Sequence, residues 1–525
     1  MERGQPCPRD PKFVLLRIYQ ITYAAFFWAL ASASRGAEPG NIGTFPGFEV
    51  SVTERPRDAP KVGRLFVILS HTNSPEPRLA LGRTDSDAPW TLAKDVQDFK
   101  AGDVALMDGH SFAFPTTNLP PGEYYAQALF DSSSDIRSLQ APGNLYSAPQ
   151  KVGPGENRLE LNRRFHDEEL PAQRGPVRFI RLQSELLSKF HHRPIFLRAG
   201  VILPRDYERE SSRRYPLWIR IGGLGARYVA VNRLMTPGSD FSKTWLAEDT
   251  PRFILLQLDG AGPYGDPYYI NSANNGPYGD ALLKELIPYV EKHYRAIRKP
   301  QARVMSGVST GGWVCLALQI FYPDFFNGAW AGCPDPVDFR ALERINIYLD
   351  ENAFIAPDGR DQPSERNLKG EVMLTVRREV GVENLLGRRN SYTLSGQQWG
   401  AWNAVFGPRG ADGLPAPIWH PETGQIDHQV AEQWHKYDLR EVLERNWKSL
   451  EPKLRGKLHI ASGEADQFYL NEAMHLLDEF FTRAEPPWKG VIIYGPGKGH
   501  GWSNLSLREM LGEMQAAVEQ EKKTK

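Results

Sequence analysis

Residues 302–332 read ARVMSGVSTGGWVCLALQIFYPDFFNGAWAG. A short strand-like run leads into Gly307-Val308-Ser309-Thr310-Gly311-Gly312, followed by an apolar helix and a second strand over 328–333. Strand, G-x-S-x-G, helix and strand in that order is the setting in which the motif forms a nucleophile elbow. The turn forces its central residue into a strained conformation and exposes that side chain above the sheet. Glycine suits positions 307 and 311 because a Cβ there would collide with the neighbouring strand and helix. Ser309 is therefore the candidate nucleophile. Without this context the same letters would be a plain Gly/Ser turn.

The rest of the composition is that of an ordinary globular protein with ample core, 41% hydrophobic and 24% charged over 525 residues. That length suggests about three domains or fewer. Lys plus Arg equals Asp plus Glu at 63 each, so no basic excess points to nucleic acid or an anionic membrane. The chain begins with a charged leader carrying Arg3, Arg9 and Lys12, then an apolar run and Ala31-Ser32-Ala33. This matches a secretory signal over 1–33 with an A-x-A cleavage site, and the mature protein is expected to be secreted or periplasmic without stable membrane insertion. Arg17 and Gln20 interrupt the run and keep it short of a clean spanning helix, with an uncleaved anchor as the alternative. Cys7 would leave with the signal, while Cys315 and Cys333 read as buried free thiols rather than a pair. No Cys/His spacing resembles a zinc site and no acidic run follows calcium-loop spacing, so neither metal nor cofactor is expected.

Residues 38–165 have an all-β texture, with short runs such as FEVSV, RLFVIL and YYAQALF between Pro, Gly, Asn and Asp clusters. The spacing predicts an immunoglobulin-like β-sandwich. It carries no catalytic cluster, so it reads either as a carbohydrate- or partner-binding module or as a structural appendage. Residues 163–176 are the linker candidate.

Beyond the linker, 179–190 and 195–204 read as two antiparallel strands joined at His191-His192-Arg193-Pro194. The strand 216–221 runs into Gly222-Gly223-Leu224-Gly225, where the Gly223 or Leu224 amide could face a developing oxyanion. A buried-strand run over 253–258 ends at Asp259-Gly260 and opens a long loop expected to border the site. An amphipathic helix is expected over 278–294.

Together, NNGPYGDALLKELIPYVEKHYR, GVSTGG and FNGAWAGCPDPVDF resemble the putative-esterase family of the α/β-hydrolases, whose relatives include esterase D and the feruloyl, acetylxylan and enterochelin esterases. The resemblance covers about 177–511. It implies an α/β fold with a doubly wound, mostly parallel sheet over 177–520, and hydrolysis of carboxylic esters. The long segment at about 340–452 reads as a cap-like insertion. Its Trp399, Trp402, Trp419, Trp434 and Trp447 are either aromatic walls for sugar or phenolic groups or the insertion's own core.

An unactivated serine needs a base and a group to orient it. In this fold the chain order is Ser, then Asp or Glu, then His. His500 lies in the glycine-rich loop GPGKGHGW after the last strand, where the general base belongs. Asp466 lies in Gly463-Glu464-Ala465-Asp466-Gln467-Phe468-Tyr469, which resembles the family's G-x-x-D followed by aromatics. Glu464 is the near competitor, while Asp335 and Asp338 read as turn or helix-cap residues. The expected site is thus Ser309, Asp466 and His500, with an oxyanion hole from Thr310 and Gly223 or Leu224. The substrate would be a small-molecule or polysaccharide ester, with acetyl or feruloyl groups as candidates. An acyltransferase or peptidase with the same triad, or a non-catalytic glycan- or partner-binding relative, are the other readings.

Overall fold

Eight strands form the central sheet, and their residues explain why it is covered on both sides. In chain order they are β1 (Val177–Ser184), β2 (Ile195–Ile202), β3 (Leu217–Ile221), β4 (Ile254–Leu258), β5 (Arg303–Ser309), β6 (Ala329–Pro334), β7 (Leu458–Gly463) and β8 (Ile492–Gly495). Their spatial order is β1-β2-β4-β3-β5-β6-β7-β8. β2 is antiparallel to both its neighbours, and every pair from β4 and β3 onward to β8 is parallel. Ile219, Leu256 and Met305 point into one core, while their chain neighbours Trp218, Leu255 and Val304 point into the other. Alternation into two dry cores is the signature of a parallel sheet flanked by helices on both faces. The computed structural model describes residues 46–520, apart from 54–61, 86, 116–118, 154–156 and 167. The expected signal segment and Cys7 lie outside the described residues. Among the described residues, no helix is long and apolar enough to cross a membrane.

One sequence expectation changes and another is refined. The first strand does not continue to 190: Glu185–His191 is a helix whose N-terminus is capped by Ser184, the Leu187 amide donating to Ser184 Oγ at 3.1 Å. Leu186, Leu187 and Phe190 extend the apolar run, but the Ser184-Glu185 start signal outweighs it. The helix expected over 278–294 is present, with a π-turn at Leu282–Leu286 between α-helical Tyr278–Ala281 and Ile287–His293.

The N-terminal β region consists of a three-stranded and a seven-stranded sheet. Val50, Leu159 and Met107 of the first share one core with Leu65, Val67 and Phe130 of the second. The outer face of the larger sheet is also covered, because Phe66, Ile68 and Leu129 pack on Val382, Leu385 and Leu386 of the helix Val376–Leu386. Arginines secure this contact. Arg64, fully buried, donates from Nε to the Leu385 carbonyl at 2.6 Å, and Arg137 donates to the carbonyls of Leu386 and Leu394, each at 2.8 Å. The Leu385 and Leu386 carbonyls are among those the helix end leaves open, and the two cations sit at the negative end of its dipole. Arg64→Met should lower the urea midpoint, costing about 3 kcal/mol, because carbonyls and Asp95 lose a buried partner. An unchanged midpoint would show that apolar contact alone holds the two surfaces together.

Candidate active site

β5 ends in the turn around which the site is built. Ser309 has φ 60° and ψ −129°, and the helix Thr310–Phe321 starts at the next residue. For a non-glycine residue this backbone is strained and must be held by its surroundings. The glycines permit it: a Cβ on Gly307 would lie 2.3 Å from the Gly311 backbone, and one on Gly311 would lie 2.3 Å from the Ile221 carbonyl. Helix and strand therefore close to backbone contact around the serine.

The loops after β7 and β8 bring a histidine and a carboxylate together. His500 Nδ1 and Asp466 Oδ2 are 2.9 Å apart, and Asp466 is fully buried. The Phe468 amide fixes the other oxygen, donating to Asp466 Oδ1 at 2.9 Å, and the His500 amide donates to Gln467 Oε1 at 2.6 Å. Burial alone would lower the His500 pKa. The hydrogen bond and charge of Asp466, with the charge of Asp335, outweigh it and hold the imidazole above its ordinary value. Glu464 is elsewhere, 3.6 Å from His475 Nε2.

The glycine-rich loop after β3 approaches the elbow from the other side. A Cβ on Gly223 would stand 3.9 Å from Ser309 Cβ, and Leu224 lines the same cavity as Ser309. Asp266 anchors this loop, its Oδ2 accepting from the Gly225 amide at 3.1 Å. Thr310 occupies the first position of its helix, where amides lack intrahelical partners.

One carboxylate was undervalued in the sequence. Asp338 does cap a short helix and pairs with Arg340 and Arg440, but Asp335 caps nothing. Its amide donates to the Ser309 carbonyl at 3.2 Å, and Ser309 Oγ donates to its Oδ1 at 3.3 Å. Thr310 Oγ1 and Trp402 Nε1 donate to its Oδ2 at 2.9 and 3.1 Å, and the Tyr268 hydroxyl donates there too. Tyr268 comes from the loop after Asp259, which thus does border the site. No local signal separates Asp335 from Asp338; only the fold turns one toward the elbow and the other toward Arg440.

A cavity of about 260 Å³ opens beside Ser309, with Asp335, Glu343, Glu379, Trp399 and Trp402 in its wall. Trp399, Trp402, Trp419, Trp434 and Trp447 all belong to the main core, and of the five Trp399 and Trp402 also line this cavity. Gly82 and Thr84 of the N-terminal β region reach the same cavity. A larger cavity of about 580 Å³ is lined by Trp218, Trp330, His459 and Met510 and reaches none of Ser309, Asp466 or His500. Among the described residues, only Cys333, Asp466 and His500 have metal-ligand spacing, with ligand atoms within 4.8 Å of one another. Burial pushes the Cys333 thiol up, which makes it a poor ligand. Cys315 and Cys333 are both free and buried.

Residues 197–487 match the model of the family described as Putative esterase. The chain belongs to this family. It is an α/β-hydrolase and a carboxylic ester hydrolase. Similar solved structures include a ferulic acid esterase, at 14% identity and TM-score 0.40, over 65% of this chain and 98% of that one. FphF, a fluorophosphonate-binding serine hydrolase of Staphylococcus aureus, is 14% identical at TM-score 0.36, over 66% of this chain and 99% of its own. An S-formylglutathione hydrolase of Agrobacterium tumefaciens is 14% identical at TM-score 0.33, over 65% of this chain and 94% of its own. No curated protein sequence matches this esterase.

Proposed function

We propose that this esterase works through an acyl-enzyme formed on Ser309, with His500 as general base and Asp466 as its orienting acid. The observation that supports this reading is the contact between His500 Nδ1 and the buried Asp466 carboxylate, with Asp335, which accepts from Ser309 Oγ, near enough for its charge to act on the same imidazole. With Nδ1–H donated to Asp466, Nε2 is left as the basic nitrogen. On substrate binding Ser309 turns its hydroxyl from Asp335 toward Nε2, which takes the proton as Oγ attacks the acyl carbon. His500 returns that proton to the leaving alcohol, and water then releases the acid by the same path. The Thr310 amide, with that of Gly223 or Leu224, stabilises the oxyanion, each donor lowering the barrier by about 3 kcal/mol.

The test is turnover of p-nitrophenyl acetate and methyl ferulate by the purified protein, together with mass mapping of a fluorophosphonate adduct. Hydrolysis with the adduct away from Ser309, or no hydrolysis at all, would overturn the reading. Acetyl or feruloyl esters of plant polysaccharide are the substrates first tried, and export rests on the leader at 1–33. Trp399 and Trp402 give the cavity an aromatic side that suits a phenolic group. The β region before it is read as an immunoglobulin-like sandwich. Its two sheets share one core, and the Tyr124 hydroxyl donates to the Pro120 carbonyl at 3.0 Å, as a tyrosine corner does.

A pH dependence follows from the raised imidazole. Turnover needs neutral His500, so the acid limb of kcat/KM should lie above the ordinary histidine value of about 6.5. Asp335→Asn removes a negative charge that favours the imidazolium, and the limb should move to lower pH. A limb that stays in place in this variant would show that Asp335 does not act on His500.

A further inference from the structure

The cavity beside Ser309 carries carboxylates and no base. Asp335, Glu343, Glu379 and Glu383 line it, and no Lys, Arg or His does. Glu343 is 4% exposed, yet its Oε2 has no hydrogen-bond partner. Its backbone is also held at φ 56°, a conformation that a glutamate adopts only under constraint. A buried acceptor left open in a ligand-sized cavity asks for a donor from outside.

Three of the neighbouring donors are already spent. Trp399 Nε1 donates to Glu379 Oε2 at 3.0 Å, Trp402 Nε1 to Asp335 at 3.1 Å, and Gln398 Nε2 to the Tyr268 hydroxyl at 3.0 Å. Glu383 is satisfied by the Trp399 and Gly400 amides, each at 2.9 Å, and so serves the fold. Sugar hydroxyls want both donors and acceptors, and this wall offers mainly acceptors. A protonated amine is the complementary group, because it donates only. The two indoles meet edge to face, with ring centroids 5.1 Å apart, and give the cavity an aromatic side.

We infer that this cavity binds an ammonium group carried by the ester substrate, with Glu343 and Glu379 as its counter-charges. The inference rests on the esterase reading for the position of Ser309 and adds the substrate class. Burial pushes the Glu379 carboxyl up to about 7 and the Glu343 carboxyl well above its usual range, so both lean to the neutral acid, and an ammonium group beside them would favour the carboxylate forms.

The ammonium could stand on either side of the ester bond, and the assay separates the two. On the acyl side, methyl 3-aminopropanoate is compared with its N-acetyl derivative and with methyl butanoate. On the alcohol side, 2-(dimethylamino)ethyl acetate is compared with 3-methylbutyl acetate, its neutral isostere. One cationic ester should exceed its neutral partners by about 100-fold in kcat/KM. Glu379→Gln and Glu343→Gln should each cut that ratio about tenfold. Calorimetry on Ser309→Ala reads binding without turnover, and the cationic ester should bind at least about tenfold tighter than its isostere. Equal ratios and equal dissociation constants overturn the inference, as does a preference for 2,3-dihydroxypropyl acetate over both cationic esters. Loss of p-nitrophenyl acetate hydrolysis in wild type would instead sink the esterase reading, and the calorimetric arm would still decide this one.

Discussion

Ser309→Ala should lower kcat for p-nitrophenyl acetate by about a millionfold while leaving thermal unfolding nearly unchanged. The size of the effect comes from replacing the only route to the acyl-enzyme. Alanine keeps the backbone course of the elbow, and the removed hydroxyl makes one 3.3 Å bond to Asp335, which retains Tyr268, Thr310 and Trp402 as donors. Stability should therefore barely move. The check is active-site-titrated kinetics alongside calorimetric unfolding. A variant that keeps more than about a hundredth of wild-type kcat would mean that another nucleophile acts, because a lost triad serine leaves only binding and oxyanion catalysis.

Asp466→Asn should lower kcat by about 10⁴-fold with little change in KM. The asparagine has nearly the same shape, and the Phe468 amide can still find an oxygen. What changes is the partner of Nδ1: an amide does not stabilise the imidazolium and favours the wrong tautomer. Because Asp466 is fully buried, water cannot substitute for the lost charge. Glu464→Gln is the matched control and should stay within about twofold, since Glu464 lies at the surface near His475. Equal losses in the two variants would argue that loop integrity, rather than charge at His500, carries the effect.

These expectations differ in how directly the chain reveals them. The elbow is legible because its requirements are local: a strand, a turn whose Cβ positions would strike backbone, and a helix within a few residues. The loops carrying Asp466 and His500 are legible for a similar reason, each being a glycine-bearing exit from a buried strand. The helix Glu185–His191 reads as strand along the chain because an apolar run satisfies either period over so few residues, and only the Ser184 cap separates them.

By itself, then, the sequence determined the alternation of strands and helices, the esterase family and the place of the candidate nucleophile, since periodicity, steric need and motif order are written along the chain. Tertiary structure alone decided that Asp335 turns to Ser309 while Asp338 turns to Arg440. It alone decided that Glu343, Glu379, Trp399 and Trp402 share one cavity with the serine, and that Gly82 and Thr84 reach its rim. Burial, open hydrogen-bond acceptors and electric field are set by neighbours in space. Residues far apart in the chain acquire those neighbours only when the insertion and the N-terminal β region fold against the sheet.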